Sequence, residues 1–162
     1  MPREPFLVTL RELVRCYQAF ESHSAEHIRR VGLTPPQFDI VATLGNTAGM
    51  SFKELGEKTL ITKGTLTGVV DRLESRGVVR RVAAPNDRRS QIVQLTDEGQ
   101  ALFEQVFPEH MDHLRRAFEQ LGPAELHSME DALRRLRLAF TGVRSRAAVP
   151  AQRSAPHTPV EA

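Results

Sequence analysis

Apolar residues recur at helical spacing through most of the chain, and β-branched runs interrupt that spacing in one place. In the middle of the chain, four apolar positions follow the i, i+3, i+4, i+7 pattern of a helix that buries one face. These positions are Leu66, Val69, Val70 and Leu73. Thr62 is a candidate N-cap and Gly77 a natural C′ residue. The pattern therefore predicts a helix between these two residues.

Two short runs follow that helix, at residues 78–82 and 91–95, and both are rich in β-branched residues. They predict strands, and Pro85-Asn86-Asp87 supplies turn chemistry between them. Arg88 and Arg89 come directly after this turn. A helix followed by a hairpin with a basic tip is suited to binding the phosphates and the minor groove of DNA.

The opposite face of the predicted helix lacks the Glu, Lys and Gln of an ordinary solvated face. Each of its two glycines costs about 1 kcal/mol relative to alanine. Small residues among threonines and an arginine let a backbone approach a DNA groove closely. With the first turn, this predicted DNA-binding face comprises Thr62, Lys63, Gly64, Thr65, Thr67, Gly68, Asp71 and Arg72. The alternative is a helix packed on both faces, with the glycines in helix–helix contact.

Upstream of this helix, the pattern predicts three further helices. The first spans about residues 7–31. A capping box at residues 34–37 opens the second, which should bury Phe38, Val41 and Leu44, and another at residues 51–54 opens a short third helix. Short helices before a longer one are the arrangement of a helix-turn-helix, and the hairpin makes it winged.

Thr96 should cap a helix that Pro108 kinks or interrupts, and a last amphipathic helix should span 124–140. The terminal helices carry more apolar surface than a compact winged module can bury, which predicts a homodimer. The predicted fold is mainly α with a small β-hairpin wing (α+β). Its segments are an N-terminal dimerisation helix (1–33), a winged helix-turn-helix (34–99), C-terminal dimerisation helices (100–141) and a disordered tail (142–162).

Composition narrows the class of protein. The chain has 162 residues and a net charge of only +2, yet residues 60–93 hold seven basic against three acidic side chains. A localised basic patch on a near-neutral chain indicates polyanion binding. The single cysteine, Cys16, excludes an internal disulfide framework and a cysteine-cluster zinc site. With no membrane-length apolar run and no signal pattern, a cytoplasmic protein is expected.

The order of elements resembles the MarR family of bacterial transcription regulators. The resemblance covers about residues 7–141 and is most specific at the wing, in Asp87-Arg88-Arg89-Ser90 and residues 93–99. Residues 33–38, Leu55-Gly56 and residues 65–81 carry the rest.

The resemblance implies a homodimer that binds inverted-repeat DNA, represses, and releases DNA when a phenolic or other aromatic acid binds. The helix from Thr62 would enter the major groove, Arg89 the minor groove, and Arg88 would contact phosphate. Asp87 would orient arginines of the helix or wing, with Arg72 as its candidate partner.

In a dimer like that of the family, an effector site is expected between the first two helices. Phe20 and Phe38 would stack on an aromatic acid, and His23, His27 or Arg30 would neutralise its carboxylate. In a simpler interpretation, these side chains pack in the core and each histidine bonds a backbone carbonyl.

Two other signals, zinc and thiol oxidation, could act on a regulator of the same fold in place of an aromatic acid. His23 and His27, with His110 and His113, have spacings that suit zinc. Cys16 is a candidate redox switch, although a buried inert cysteine is favoured.

No catalytic constellation or phosphate loop is present in the sequence, so neither an enzyme nor a cofactor is expected. A winged helix used only for protein contact is the other rival. The basic tip disfavours it.

Overall fold

The computed structural model describes residues 4–59, 61–84 and 87–147, with the backbone alone at residues 63, 87–89 and 143–147. This part of the chain contains six helices and three strands, and the predicted fold class is confirmed. In chain order they are α1 (Phe6–Arg30), α2 (Pro35–Leu44), β1 (Met50–Ser51), α3 (Phe52–Lys58), α4 (Lys63–Ser75), β2 (Val79–Ala84), β3 (Asp87–Leu95), α5 (Asp97–Phe118) and α6 (Pro123–Ala147). The chain divides into two compact units, Met1–Phe118 and Glu119–Ala162.

The predicted caps set the helix boundaries. The backbone N–H of Thr34 donates to the side-chain oxygen of Gln37 at 3.0 Å. In the second capping box, the N–H of Glu54 donates to the Ser51 hydroxyl at 3.2 Å, and the N–H of Ser51 donates to the Glu54 carboxylate at 2.9 Å. Both arrangements satisfy amides that have no partner inside the helix. Gly77 follows α4 with φ +72°, as a C′ glycine should.

The predicted apolar stripe of α4 forms the centre of the main core. All four of its side chains are buried, together with Ile40, Val41 and Leu44 of α2 and Leu55 of α3. Phe103 of α5 closes the same cluster. This packing fixes α4 against α2, α3 and the sheet, so the opposite face of α4 points away from the core.

The hairpin is wider than predicted because a third strand joins it. The strand order is β1-β3-β2, and both pairings are antiparallel. Sequence periodicity predicts no strand at Met50, because a two-residue strand has no detectable period. Gly49 leads into it with φ +102°, and a Cβ at Gly49 would lie 2.8 Å from the carbonyl oxygen of Val93. Only glycine therefore fits beside β3 at this position.

Several predicted boundaries shift. The two strands extend to Ala84 and back to Asp87, while residues 85 and 86 of the predicted turn lie outside the described residues. Of the two outcomes expected at Pro108, a kink or an interruption, the interruption is wrong, because α5 runs through it as one helix. Buried Phe103 and Val106 before the proline and buried His110 after it keep both sides packed. The last helix continues to Ala147, past the predicted start of the tail.

Two of the described helices each leave several large apolar side chains exposed. On α1 these are Phe6, Leu7, Val8, Leu10, Val14, Tyr17 and Phe20. On α6, described by itself, they are Met129, Leu133, Leu138 and Phe140. Among the described residues, no helix is both long enough and apolar enough to cross a membrane.

Candidate nucleic-acid interface and effector pocket

The outward face of α4 is not covered by any other described element. Thr65, Thr67 and Arg72 are exposed. A Cβ built on Gly64 or Gly68 would meet no heavy atom within 4 Å. The alternative in which these glycines serve helix–helix contact within the chain is therefore wrong for the described residues. The face is shaped for close approach by an external surface.

The N-terminal end of α4 carries two paired hydroxyls. Thr62 occupies the predicted N-cap position, but its hydroxyl does not cap a backbone N–H. It lies 3.0 Å from the hydroxyl of Thr65 instead. Both groups sit at the positive end of the helix, where the unpaired amides favour an anion.

The acidic member of the predicted face is already paired. Asp71 forms an ion pair with Arg81 of β2, and Arg81 also binds Glu74. Sequence reasoning counted Arg81 in the basic patch of residues 60–93 and among the residues that carry the family resemblance, but gave it no partner. Arg72 makes no ion pair with another described side chain. The implied contact of Arg72 with Asp87 involves a side chain outside those described.

The wing presents its arginines along two antiparallel strands. Arg80 donates two hydrogen bonds to the Gln94 side-chain oxygen opposite it, at 3.0 and 3.3 Å. The backbone places residues 87–89 at the start of β3, at the tip of the hairpin. Arg88 and Arg89 thus lie within β3 and not in the predicted loop before it, and their side chains lie outside the described set.

A pocket of about 840 Å³ opens between α1, α2 and α5 and reaches α4. This size suits a small organic ligand. Its apolar wall is made by Phe20, Ile28, Pro36, Phe38, Met111 and Leu114. Ile61, Thr62 and Thr65 also line it. The pocket therefore touches the first turn of α4, the helix whose outward face carries the candidate DNA contacts, and Thr62 and Thr65 belong to both sets.

Charged side chains line one part of the same pocket. Arg29 makes no ion pair with a described carboxylate, whereas Glu21 accepts a hydrogen bond from the Tyr17 hydroxyl at 2.8 Å. That hydrogen bond to Glu21 raises the pKa of Tyr17. Asp39 is a further carboxylate in the lining. Arg29 is the only Lys or Arg among the described lining residues, and His110 lines the pocket as well.

The pocket gathers part of the predicted effector set. Phe20 and Phe38 line it, while His23, His27 and Arg30 do not. Arg30 forms an ion pair with Glu26 on the exposed side of α1. Since successive residues on a helix point about 100° apart, Arg29 faces the pocket instead. Sequence reasoning missed it by one position.

The four predicted metal candidates do meet, and one of them, His110, lines the pocket. The rings of His23 and His113 stack with centroids 4.0 Å apart, and His27 and His110 lie 5.3 Å apart. The Nδ1 atoms of His27 and His110 are 3.3 Å apart. Even so, no group of three or more His, Cys, Asp or Glu side chains is arranged to hold a metal among the described residues.

His110 is the most perturbed of these groups. It is buried, its ring lies 4.5 Å from that of Phe38, and its Nε2 lies 3.4 Å from the Ser24 hydroxyl. Burial, followed by the nearby charges of His27, His113 and His23 when protonated, lowers the pKa of His110 to about 4. Burial also lowers the pKa of His27. Both side chains are therefore neutral near pH 7.

Cys16 is exposed, so the expectation of a buried cysteine is wrong. The middle of α1 has exposed neighbours on both sides, at Arg15 and Tyr17. No described element covers the thiol.

Helices α3 and α4, the turn between them and the three-stranded sheet define a winged helix-turn-helix of the kind found in DNA-binding regulators. Comparison with known proteins gives the family. The model of the MarR family matches residues 33–91. The transcriptional regulator MhqR of Bacillus subtilis is 31% identical over 126 residues, which cover 78% of this chain and 87% of that protein.

Two solved structures have the same fold. BpsR of Bordetella bronchiseptica, whose DNA binding is regulated by 6-hydroxynicotinic acid, aligns with a TM-score of 0.74 and 28% identity over 85% of this chain and 98% of that one. Sco3205 of Streptomyces coelicolor, a MarR family regulator in complex with DNA, aligns with a TM-score of 0.74 and 28% identity over 82% and 86%. This chain belongs to the MarR family. It is a DNA-binding transcriptional regulator.

Proposed function

We propose that the chain is a homodimeric repressor that binds an inverted-repeat operator and releases it when a small aromatic acid fills the pocket. One observation carries the proposal. The pocket wall includes Phe20 and Phe38 on one side and Thr62 and Thr65 of α4 on the other. An occupant of the pocket therefore touches the helix that binds DNA.

The lining supports an aromatic ring with an anionic group. Phe20 and Phe38 provide ring contacts, and aromatic pairs of this kind add about 0.5–1.5 kcal/mol to simple burial. The Arg29 guanidinium, which no described carboxylate neutralises, provides a bidentate partner for a carboxylate. BpsR responds to 6-hydroxynicotinic acid, a ligand of this chemistry.

Release requires the ligand to prefer one position of α4. A ligand shifts a conformational equilibrium only by its difference in affinity for the two states. Contact with Thr62 and Thr65 supplies such a difference, because any displacement of the first turn of α4 changes those contacts. The effector and the operator then compete through the same helix.

Exposed apolar side chains support the homodimer. The large side chains of α1 that face solvent extend from Phe6 to Phe20, and α6 exposes several more. Several large exposed apolar side chains on one helix, as on each of these two, usually mark a protein interface. A two-fold dimer would also present two copies of α4 to the two halves of an inverted repeat.

The proposed DNA contacts are those of the open α4 face and the wing. Thr62, Lys63, Gly64, Thr65, Thr67, Gly68, Asp71 and Arg72 belong to the major-groove side, and Asp87, Arg88 and Arg89 to the wing. Asp71 contributes to DNA binding through its ion pair with Arg81 rather than by direct contact with DNA.

The test is fluorescence anisotropy with a labelled duplex from upstream of the chain's own gene. Titration with 6-hydroxynicotinic acid should release the DNA, whereas its uncharged amide should release it poorly. The matched variants are Arg29→Met, which should raise the acid concentration needed at least about tenfold, and Arg30→Met, which should not. Equal effects of the acid and the amide would contradict the anionic pocket, and no DNA binding at low salt would contradict the regulator itself.

A further inference from the structure

The Arg81 side chain connects three elements of the DNA-binding module. It starts on β2, and its two terminal nitrogens reach Asp71 and Glu74 on α4. The guanidinium carbon lies 5.4 Å from the centre of the Phe52 ring on α3. Its backbone N–H also donates to the Glu74 carboxylate at 3.3 Å. One arginine thus links the wing to both helices of the helix-turn-helix.

The side chain is more enclosed than its partners. Arg81 is 21% exposed, whereas Asp71 is 54% and Glu74 is 38% exposed. The Arg81 guanidinium is therefore largely enclosed where it pairs with the two carboxylates. The parts of the Asp71 and Glu74 side chains that it does not cover are exposed to solvent. Neighbouring Arg80 differs, since it is exposed and donates to the neutral Gln94 side chain.

The carboxylates of Asp71 and Glu74 oppose the binding of α4 to DNA. Spaced three apart, they lie on adjacent turns of α4, where like charges repel. They also bring negative charge to a surface that must approach phosphates, whose affinity depends on cationic neutralisation. A cation that binds both carboxylates removes both difficulties.

We propose that Arg81 is a positioning residue for DNA recognition: it neutralises Asp71 and Glu74 and holds α4 against the wing, without touching DNA itself. Arginine is required for this role because one planar guanidinium can bridge two carboxylates and stack on a ring. Lysine has the charge but not the bridging plane. The proposal rests on DNA binding, and does not depend on the effector or on the dimer.

A rescue experiment tests the proposal. Operator affinity is measured for the wild type, Arg81→Met, the double variant Asp71→Asn/Glu74→Gln, and the triple variant. Arg81→Met keeps an apolar side chain on Phe52 but leaves two unpaired carboxylates, so affinity should fall about tenfold or more. In the triple variant those carboxylates are neutral, and most of the affinity should return.

A purely structural role or a direct phosphate contact would give different results. If Arg81 contacted a phosphate, the triple variant would stay weak and the salt slope of Arg81→Met would fall by about one unit. Thermal unfolding of each variant shows the folded fraction, and Arg81→Lys, which should regain only part of the affinity, provides a well-folded second probe. Loss of affinity without rescue in folded protein overturns the inference. Wild-type protein that fails to bind would instead contradict the proposed function.

Discussion

His23 and His113 hold α1 and α5 together by a reciprocal contact. Their rings stack at 4.0 Å, and Nε2 of each ring lies within hydrogen-bond distance of the other residue's carbonyl oxygen, at 3.3 and 2.9 Å. This matches the simpler interpretation for His23, which bonds a backbone carbonyl, whereas the ring nitrogens of His27 lie beside His110 and Glu109 instead. His27 and His110 pack closely beside the stacked pair. The stability of the region should depend on His27 and His110 remaining neutral.

Acidification should therefore weaken the fold through His110. Its pKa is lowered from 6.5 to about 4 in the folded protein, so between these pH values the unfolded chain binds almost one proton more at this site. The free energy of unfolding must fall as the pH falls through that interval, by at most about 1.4 kcal/mol per pH unit. His27, whose pKa is also lowered, adds to the same trend.

Thermal unfolding at pH 7 and pH 5 checks this prediction. His110→Gln removes the titrating group, and its loss of Tm between the two pH values should be smaller than that of the wild type. His127→Gln removes an exposed histidine from α6 and should behave like the wild type. Equal losses in all three proteins would mean that His110 is not the group responsible.

The architecture was predictable where local chemistry decides it. The helix order follows from two local features of the sequence. These are the capping boxes at Thr34 and Ser51 and the apolar stripe centred on Val69 and Val70. The glycine after α4 gave the start of the hairpin. The short strand β1 was not predictable, because Met50 and Ser51 become a strand only through pairing with β3, a contact between distant parts of the sequence.

The site was predictable only in part, for the same reason. The open face of α4 follows from helical periodicity alone. Arg81 and Arg29 were missed because their roles depend on which side chains of other elements they meet. A difference of one helical position separates Arg29 in the pocket from Arg30, which pairs with Glu26.

The wing arginines should have separable roles. Arg89→Ala should weaken operator binding by about 1–3 kcal/mol and reduce preference for the operator over unrelated DNA, as expected for a groove contact. Arg88→Ala should weaken binding to both DNAs alike and lower the salt slope by about one. Arg115→Ala removes an equal charge from α5 and serves as the control. Unchanged affinity for Arg89→Ala would exclude the wing from the contact.

Charge placed on the exposed side of α1 should dissociate the proposed dimer. Val14→Glu puts a carboxylate among apolar side chains that would be buried between subunits, where an unpaired charge is costly. Sedimentation equilibrium should show a larger monomer fraction and at least a tenfold weaker association. Gln105→Glu adds the same charge at an exposed position of α5 and should leave association unchanged. A Val14→Glu protein that associates like the wild type would place the interface elsewhere.

Gly68 gives the sharpest test of the α4 face, because it should move stability and DNA affinity in opposite directions. A Cβ there meets nothing within 4 Å, so Gly68→Ala should raise the free energy of unfolding by about 0.5–1 kcal/mol through helix propensity alone. The same methyl group would stand between the helix backbone and the DNA, and operator affinity should fall. Gly142→Ala on α6 is the matched control, since its Cβ is equally free of contacts. It should gain stability without losing affinity. If Gly68→Ala binds the operator as tightly as the wild type, the α4 backbone does not approach DNA at this glycine, and the helix must bind through its longer side chains.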